Sequence, residues 1–159
     1  MRPQSTRISS WLLALAIACM IPMHRTQAVD CPAKSMLMIK DSQEGFAGKT
    51  GTIWIIKPDC SFEVARFNGE NVSAPHAKGQ LTPEQQAQLA AVLSNQGVAT
   101  LPEQTGQPAP VNSRQISIGY DGKTAVLDLG MGDEAARNLP DAAHRILEIS
   151  KAVRGVTGQ

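Results

Sequence analysis

Three extended runs, alternating or continuously apolar, come first along residues 35–67. Ser35–Lys40 contains Met36-Leu37-Met38-Ile39, apolar on both faces, a pattern that belongs in the middle of a sheet or under a cover. Thr52–Lys57 carries Ile53-Trp54-Ile55-Ile56, β-branched and aromatic, as strands favour. Ser61–Phe67 follows Lys57-Pro58-Asp59-Cys60, whose proline stands where a type I turn takes it. That turn sets Ile55 opposite Phe62 and Ile53 opposite Val64, so one sheet face is well specified. Between the first two runs, Asp41–Thr50 is glycine-rich and reads as a long loop around Glu44-Gly45-Phe46-Ala47-Gly48.

After Asn68-Gly69 the pattern predicts a loop as far as Gln80, containing Pro75, His76 and Gly79. Thr82-Pro83-Glu84-Gln85 then opens a helix: Thr82 is the cap, proline suits the first position, and Gln85 completes a capping box. The helix runs to about Asn95 with Leu89, Val92 and Leu93 on its apolar side, and Gly97 ends it. Leu101–Ser113, with Pro102, Pro108 and Pro110, is a second long loop. Gln115–Tyr120 and Thr124–Leu129 alternate around Asp121-Gly122, a two-residue hairpin that places Ile118 against Ala125 and Ile116 against Leu127. A last helix spans about Asp141 to Arg154, stopped by Gly155. Its buried stripe is Ala143, Ile146, Leu147 and Val153, with Arg145, Glu148 and Lys151 on the wet side. The order βββ-α-ββ-α predicts an α+β fold: an antiparallel sheet of about five strands with two helices packed on one face.

The N-terminal segment changes the picture of where this chain works. Met1–Arg7 carries Arg2 and Arg7, Ile8–Met23 is largely apolar, and Thr26-Gln27-Ala28 ends the segment with small residues at the positions a signal peptidase reads. This reads as a secretory signal peptide, residues 1–28, with a single domain over residues 29–159. The apolar core is too short, and its Pro22 too awkward, for a stable span, so no transmembrane span is expected in the mature chain. The expected location is periplasmic or secreted. Ala16-Ile17-Ala18-Cys19 is a loose lipobox, and lipid anchoring through Cys19 is the alternative.

Cleavage after Ala28 removes Arg2, Arg7 and Arg25 and leaves 12 basic against 14 acidic side chains. That balance gives no footprint for nucleic acid or for an acidic membrane surface. Two cysteines remain, Cys31 and Cys60, and in an exported chain an even number makes a disulfide the default. A hairpin centred on the glycine loop pairs residues whose numbers sum to about 91, as Cys31 and Cys60 do, with the register free to slip by one or two.

Catalytic chemistry is thinly represented. No GxGxxG, P-loop, HExxH or GxSxG occurs, and the two histidines of the mature chain, His76 and His144, lie in separate elements and read as surface residues. Asp128 with Asp133 and Glu134 is the one acidic group near strand residues. It is the basis of a minor alternative, a small hydrolase, although alternation places Asp128 on a solvent face. No enzyme activity, cofactor or metal is expected. Binding has more to work with: two loops on a clamped sheet, one bearing Gly45, Phe46, Ala47 and Gly48, the other Gln107 and Pro108. Phe46 either anchors in a partner's pocket or folds back over the sheet edge.

Gly45-Phe46-Ala47-Gly48 after a first strand, then Arg66-Phe67-Asn68-Gly69, Leu81-Thr82-Pro83-Glu84, Leu101-Pro102 and an Asp-Gly hairpin, form an order that resembles emfourin and similar bacterial domains. Emfourin is a small protein inhibitor of protealysin and other thermolysin-like metallopeptidases. The likeness covers about Ser35 to Ser150. It implies an antiparallel sheet with helical cover, no catalytic residues, and loops that block a metallopeptidase cleft. The expected partner is then a metallopeptidase or another extracytoplasmic protein; the alternative is an envelope protein with a structural or ligand-binding role. The signal peptide and the cysteine pair are departures from the minimal form of that family.

Overall fold

The computed structural model describes residues 31–46, 48–106, 112–129 and 139–158. Its fold is α+β, with a mostly antiparallel sheet and two α-helices among the described residues. The strands are β1 (Leu37–Gly45), β2 (Gly48–Ile56), β3 (Ser61–Asn68), β4 (Asn71–Val72), β5 (Ala77–Gln80), β6 (Gln104–Thr105), β7 (Arg114–Tyr120) and β8 (Lys123–Leu129). The helices are α1 (Pro83–Asn95) and α2 (Asp141–Val156). Sheet order is β4-β3-β2-β1-β7-β8-β6, with β5 also paired to β3.

Among the described residues the strand count is eight rather than about five. Two expected loops, the one after Asn68 and Leu101–Ser113, hold the three extra strands, and a third, Asp41–Thr50, lengthens two strands already expected. Asp41–Thr50 is not a loop: β1 and β2 continue through it, pairing Asp41 with Thr52, Gln43 with Thr50 and Gly45 with Gly48. The glycine-rich arms are drawn into strands because each has an outer neighbour. Asp41, Ser42 and Gln43 pair with Ile116, Gln115 and Arg114 of β7, while Thr50 and Gly51 pair with Asn68 and Phe67 of β3. Gly51 suits this close pairing, because a Cβ there would collide with the Asp41 carbonyl oxygen. The stretch after Asn68 likewise returns twice to β3, as β4 and then β5. Within Leu101–Ser113, Gln104–Thr105 runs parallel to β8, which makes the sheet mixed.

The β2–β3 register is one residue off the expected one. Trp54 faces Val64 and Ile56 faces Phe62, because Cys60 adopts a left-handed conformation (φ 63°) and adds a residue to the turn. The side chains therefore sort differently. Leu37, Ile39, Trp54, Ile56, Val64, Ile116, Ile118 and Leu127 share the face packed against Leu89 and Leu93 of α1 and Ile146, Ile149 and Val153 of α2. Ile53, Ala65 and Phe67 form a smaller cluster on the opposite face, flanked by Met38 and Ile55. At about 25 cal/mol per Å² of apolar surface removed from water, the helix-covered face supplies the main hydrophobic stabilisation.

The local signals hold where chemistry is self-contained. Thr82 and Gln85 form the capping box of α1, and Gly97 (φ 56°) follows its end. The β7–β8 register is the expected one: Ile118 opposite Ala125 and Ile116 opposite Leu127, with Asp121 and Gly122 both at positive φ. Gly155 does not stop α2, which continues to Val156, a buried residue; Gly158 (φ 73°) lies just beyond. Arg145 is not simply on the wet side. It donates to the carbonyl oxygens of Gln96 and Gly97 at 2.6 and 2.8 Å, placing a cation at the negative end of α1. At the opposite ends, Gln85 donates to the Val156 carbonyl at 2.9 Å, so the helices run antiparallel. Cys31 and Cys60 form the expected disulfide, with Cα atoms 5.4 Å apart. It ties the segment preceding β1 to the β2–β3 turn. No helix among the described residues is long and apolar enough to cross a membrane.

Candidate functional site

Strand polarity sends several connections to one end of the sheet. The β1–β2 tip (Gly45–Gly48), the β3–β4 turn at Gly69, the end of β6, the start of β7 and the end of β8 all lie there. The β1–β2 hairpin forms the centre of this end. Gly48 takes φ 89°, a left-handed value that glycine allows without strain. Phe46, at the tip, is fully exposed at a relative value of 106%, so it does not fold back over the sheet edge. An apolar side chain of this size held wholly in water has no stabilising role within the chain.

Of the six candidate binding residues, Gly45, Phe46 and Gly48 lie together on this tip. Ala47, Gln107 and Pro108 lie outside the described residues, as do the signal segment and Cys19. The stem of the second loop nevertheless meets the hairpin: the Glu44 amide donates to the Ser113 carbonyl at 3.1 Å. The two segments singled out in sequence thus leave the sheet side by side.

Below the tip, on the face that carries the helices, lies a group of charged residues that sequence reasoning did not assemble. Alternation along β1 carries the core face outward from Leu37 and Ile39 to Asp41 and Gln43. Thr52 and Thr50 stand opposite them on β2, and Arg114 is beside Gln43 on β7. Arg114 donates to Asp41 through two nitrogens, Nε to Oδ1 at 2.8 Å and Nη2 to Oδ2 at 2.6 Å, the fork geometry of a strong arginine–carboxylate pair. This hydrogen-bonded pairing raises the Arg114 pKa above its ordinary value. From α2, Arg154 brings Nη1 to 3.3 Å from the same Asp41 Oδ2. Its guanidinium also lies 5.6 Å from the Trp54 ring centroid and donates to the Ser150 hydroxyl at 3.0 Å. Asp41, Trp54, Arg114 and Arg154, with the β1 and β2 residues beside them, border a cleft of about 400 Å³. The signal that could have located it was the parity of Asp41 with Leu37 and Ile39, hidden once Asp41–Thr50 was read as a loop.

The acidic alternative fares differently. Asp128 lies on the face without helices, as alternation predicts, yet it is nearly buried. Its carboxylate accepts from Gln104 Nε2 and, at 2.7 Å, from Gln115 Nε2, while Gln115 Oε1 accepts from Lys49 Nζ. Asp128 is thus held in a network of side-chain amides, with one donor on each carboxylate oxygen. Asp133 and Glu134 lie outside the described residues. His76 and His144 are exposed, and the described residues contain no group of His, Cys, Asp and Glu able to hold a metal ion. The sequence matches no protein-family model and no curated protein.

Proposed function

We propose that this chain is an exported, non-enzymatic protein-binding domain, periplasmic or secreted, that engages a partner through the β1–β2 tip. The leading case is inhibition of a thermolysin-like metallopeptidase. One observation carries the reading: Phe46 stands fully exposed at the end of a strand pair that is anchored on both sides by other strands. Burying such a ring in a partner's pocket supplies about 1.5–3 kcal/mol of hydrophobic free energy, with little ordering cost because the backbone beneath it is already fixed. The order of short motifs around Gly45-Phe46-Ala47-Gly48, which resembles emfourin, supports a peptidase as the partner. The placement of Asp128 within an amide network supports the non-enzymatic part of the reading.

Titration of a thermolysin-like metallopeptidase with the purified, oxidised chain tests this. Stoichiometric loss of peptidase activity, with Phe46→Ala weakening inhibition by about ten-fold or more at unchanged stability, is the expected result. No inhibition at micromolar excess, with the chain surviving uncleaved, would sink the inhibitor reading. The alternative, an envelope protein with a structural or ligand-binding role and no protease target, would then take precedence.

A further inference from the structure

We propose that the cleft between the β1–β2 arms and the end of α2 binds a carboxylate group, received by Arg154 and Arg114. The carboxylate is carried either by a small polar molecule or by the C-terminal end of a peptide. This site stands on different residues from the hairpin tip and does not depend on the protein-binding reading.

Charge is the first observation. Two guanidinium groups converge on one carboxylate, Asp41, leaving one positive charge in excess. In the adjoining cleft, of about 540 Å³, Lys151 and Glu148 offset each other, so the excess beside Asp41 is not cancelled from that side. A single surplus charge matches one carboxylate better than a phosphate dianion. The second observation is preorganisation. Arg154 is fixed by Ser150 through its carbonyl (3.4 Å) and hydroxyl (3.0 Å) oxygens and by the Trp54 ring, so a ligand meets a cation whose geometry is already set.

The third observation is a set of donors without acceptors. Arg114 spends Nε and Nη2 on Asp41, and its Nη1 has no partner among the described residues. Trp54 lines the same cleft, is 5% exposed, and its indole N–H is buried with no hydrogen-bond partner. Buried donors are nearly always paired, and this unpaired one belongs to a ring that lies against Arg154 and lines the cleft together with Arg114. The volume, about 400 Å³, falls within the range usual for small-molecule sites. The rest of the wall is polar but uncharged, from Ser42, Gln43, Thr50 and Thr52, which suits a ligand with hydrogen-bonding groups beyond its carboxylate. In this arrangement Asp41 is a competitor: it occupies the arginine fork until a second carboxylate shares or displaces it.

Trp54 supplies the readout. The sequence contains two tryptophans, so the full chain carrying Trp11→Phe has its only indole in the cleft. Its fluorescence would be titrated with sodium acetate, with the dipeptide Ala-Ala, with the C-terminal amide of Ala-Ala, and with inorganic phosphate. A saturable change with acetate points to free carboxylates, and one with Ala-Ala alone points to a peptide end; either supports the site. The amide should give no saturable change. Asp41→Asn should tighten the binding by about ten-fold, because it removes the internal competitor and the negative charge. Arg114→Gln and Arg154→Lys should each weaken it by about ten-fold, Arg154→Lys while keeping the positive charge but losing the guanidinium and the Ser150 bonds that orient it. A purely structural ion-pair cluster predicts the opposite pattern: Asp41→Asn lowers the melting temperature and leaves no binding to improve. The proposal is overturned if the dipeptide and its amide bind alike, or if phosphate binds more tightly than either carboxylate. It is also overturned if no probe perturbs Trp54 in a chain with an intact melting transition.

Discussion

The β1–β2 hairpin has two unlike ends. At one end Leu37 pairs with Ile56 and Ile39 with Trp54, all buried beneath the helices, and the Cys31–Cys60 disulfide closes the chain beside them. At the other, Glu44 pairs with Lys49 and Gly45 with Gly48, all exposed, and Phe46 stands in solvent. The two are continuous strands of the same sheet, held by the same ladder. One end therefore carries stability and the other is free to change without loss of fold. That separation is what lets a small domain present a rigid surface: the exposed arms take their order from β3 and β7 rather than from their own side chains.

Mutations along a single strand should expose this difference, beginning with the largest effect. Ile39→Ala at the covered end should cost about 3 kcal/mol in chemical denaturation, through lost transfer free energy and a residual cavity. Gln43→Ala, four residues further along β1, should stay within about 0.5 kcal/mol. If Gln43→Ala costs as much as Ile39→Ala, the two ends are not energetically distinct.

Removing the disulfide comes next. The sequence separation is 29 residues, and Cys31→Ser with Cys60→Ala should lose about 3 kcal/mol. Replacing Cys60 by Gly instead should recover about 1 kcal/mol of that, because position 60 holds φ at 63° and glycine adopts it without a Cβ penalty. Arg145→Ala should follow at about 1–2 kcal/mol, since it leaves the last carbonyls of α1 without their cationic donor. Phe46→Ala should change stability by less than about 0.5 kcal/mol while abolishing most of any partner binding; a large stability loss would mean that the tip is not free.

The smallest expected effect is in acid. Asp59 accepts from the Ser61 hydroxyl and amide at 2.7 and 2.9 Å, and these bonds hold its carboxyl below its ordinary value near 3.8. A depressed folded-state value means that the contribution is present above the unfolded value and is lost as pH falls through the folded one. Asp59→Asn should therefore lower stability slightly at pH 6, and the deficit should shrink as pH falls through the carboxylate range, as read from paired melting curves.

How much was legible in the sequence follows from how far each signal reaches. Thr82-Pro83-Glu84-Gln85 and Asp121-Gly122 gave helix start and hairpin register correctly, because each motif closes its own hydrogen bonds within four residues. The disulfide was expected from the two cysteines that follow the segment read as a signal peptide, and the structure forms it. The β2–β3 register missed by one, because Cys60 does not announce the left-handed conformation that a glycine there would have suggested. Phe46 was recognisable as an anomaly, whereas its freedom from the sheet edge is a property of the tertiary structure.

The sequence alone determined the α+β class, the caps of α1, the β7–β8 hairpin and the cysteine pair, since these rest on local backbone chemistry and on period. The tertiary structure decided that Asp41–Thr50 is strand, that Gln104–Thr105 pairs in parallel with β8, and that Asp41, Trp54, Arg114 and Arg154 meet. Glycine-rich arms have no strand preference of their own, and they become strands only when neighbours distant in sequence offer their unpaired amides and carbonyls partners on both sides. The charged cleft follows from that pairing, because a strand's alternation can place a residue over the core face only where the strand actually extends.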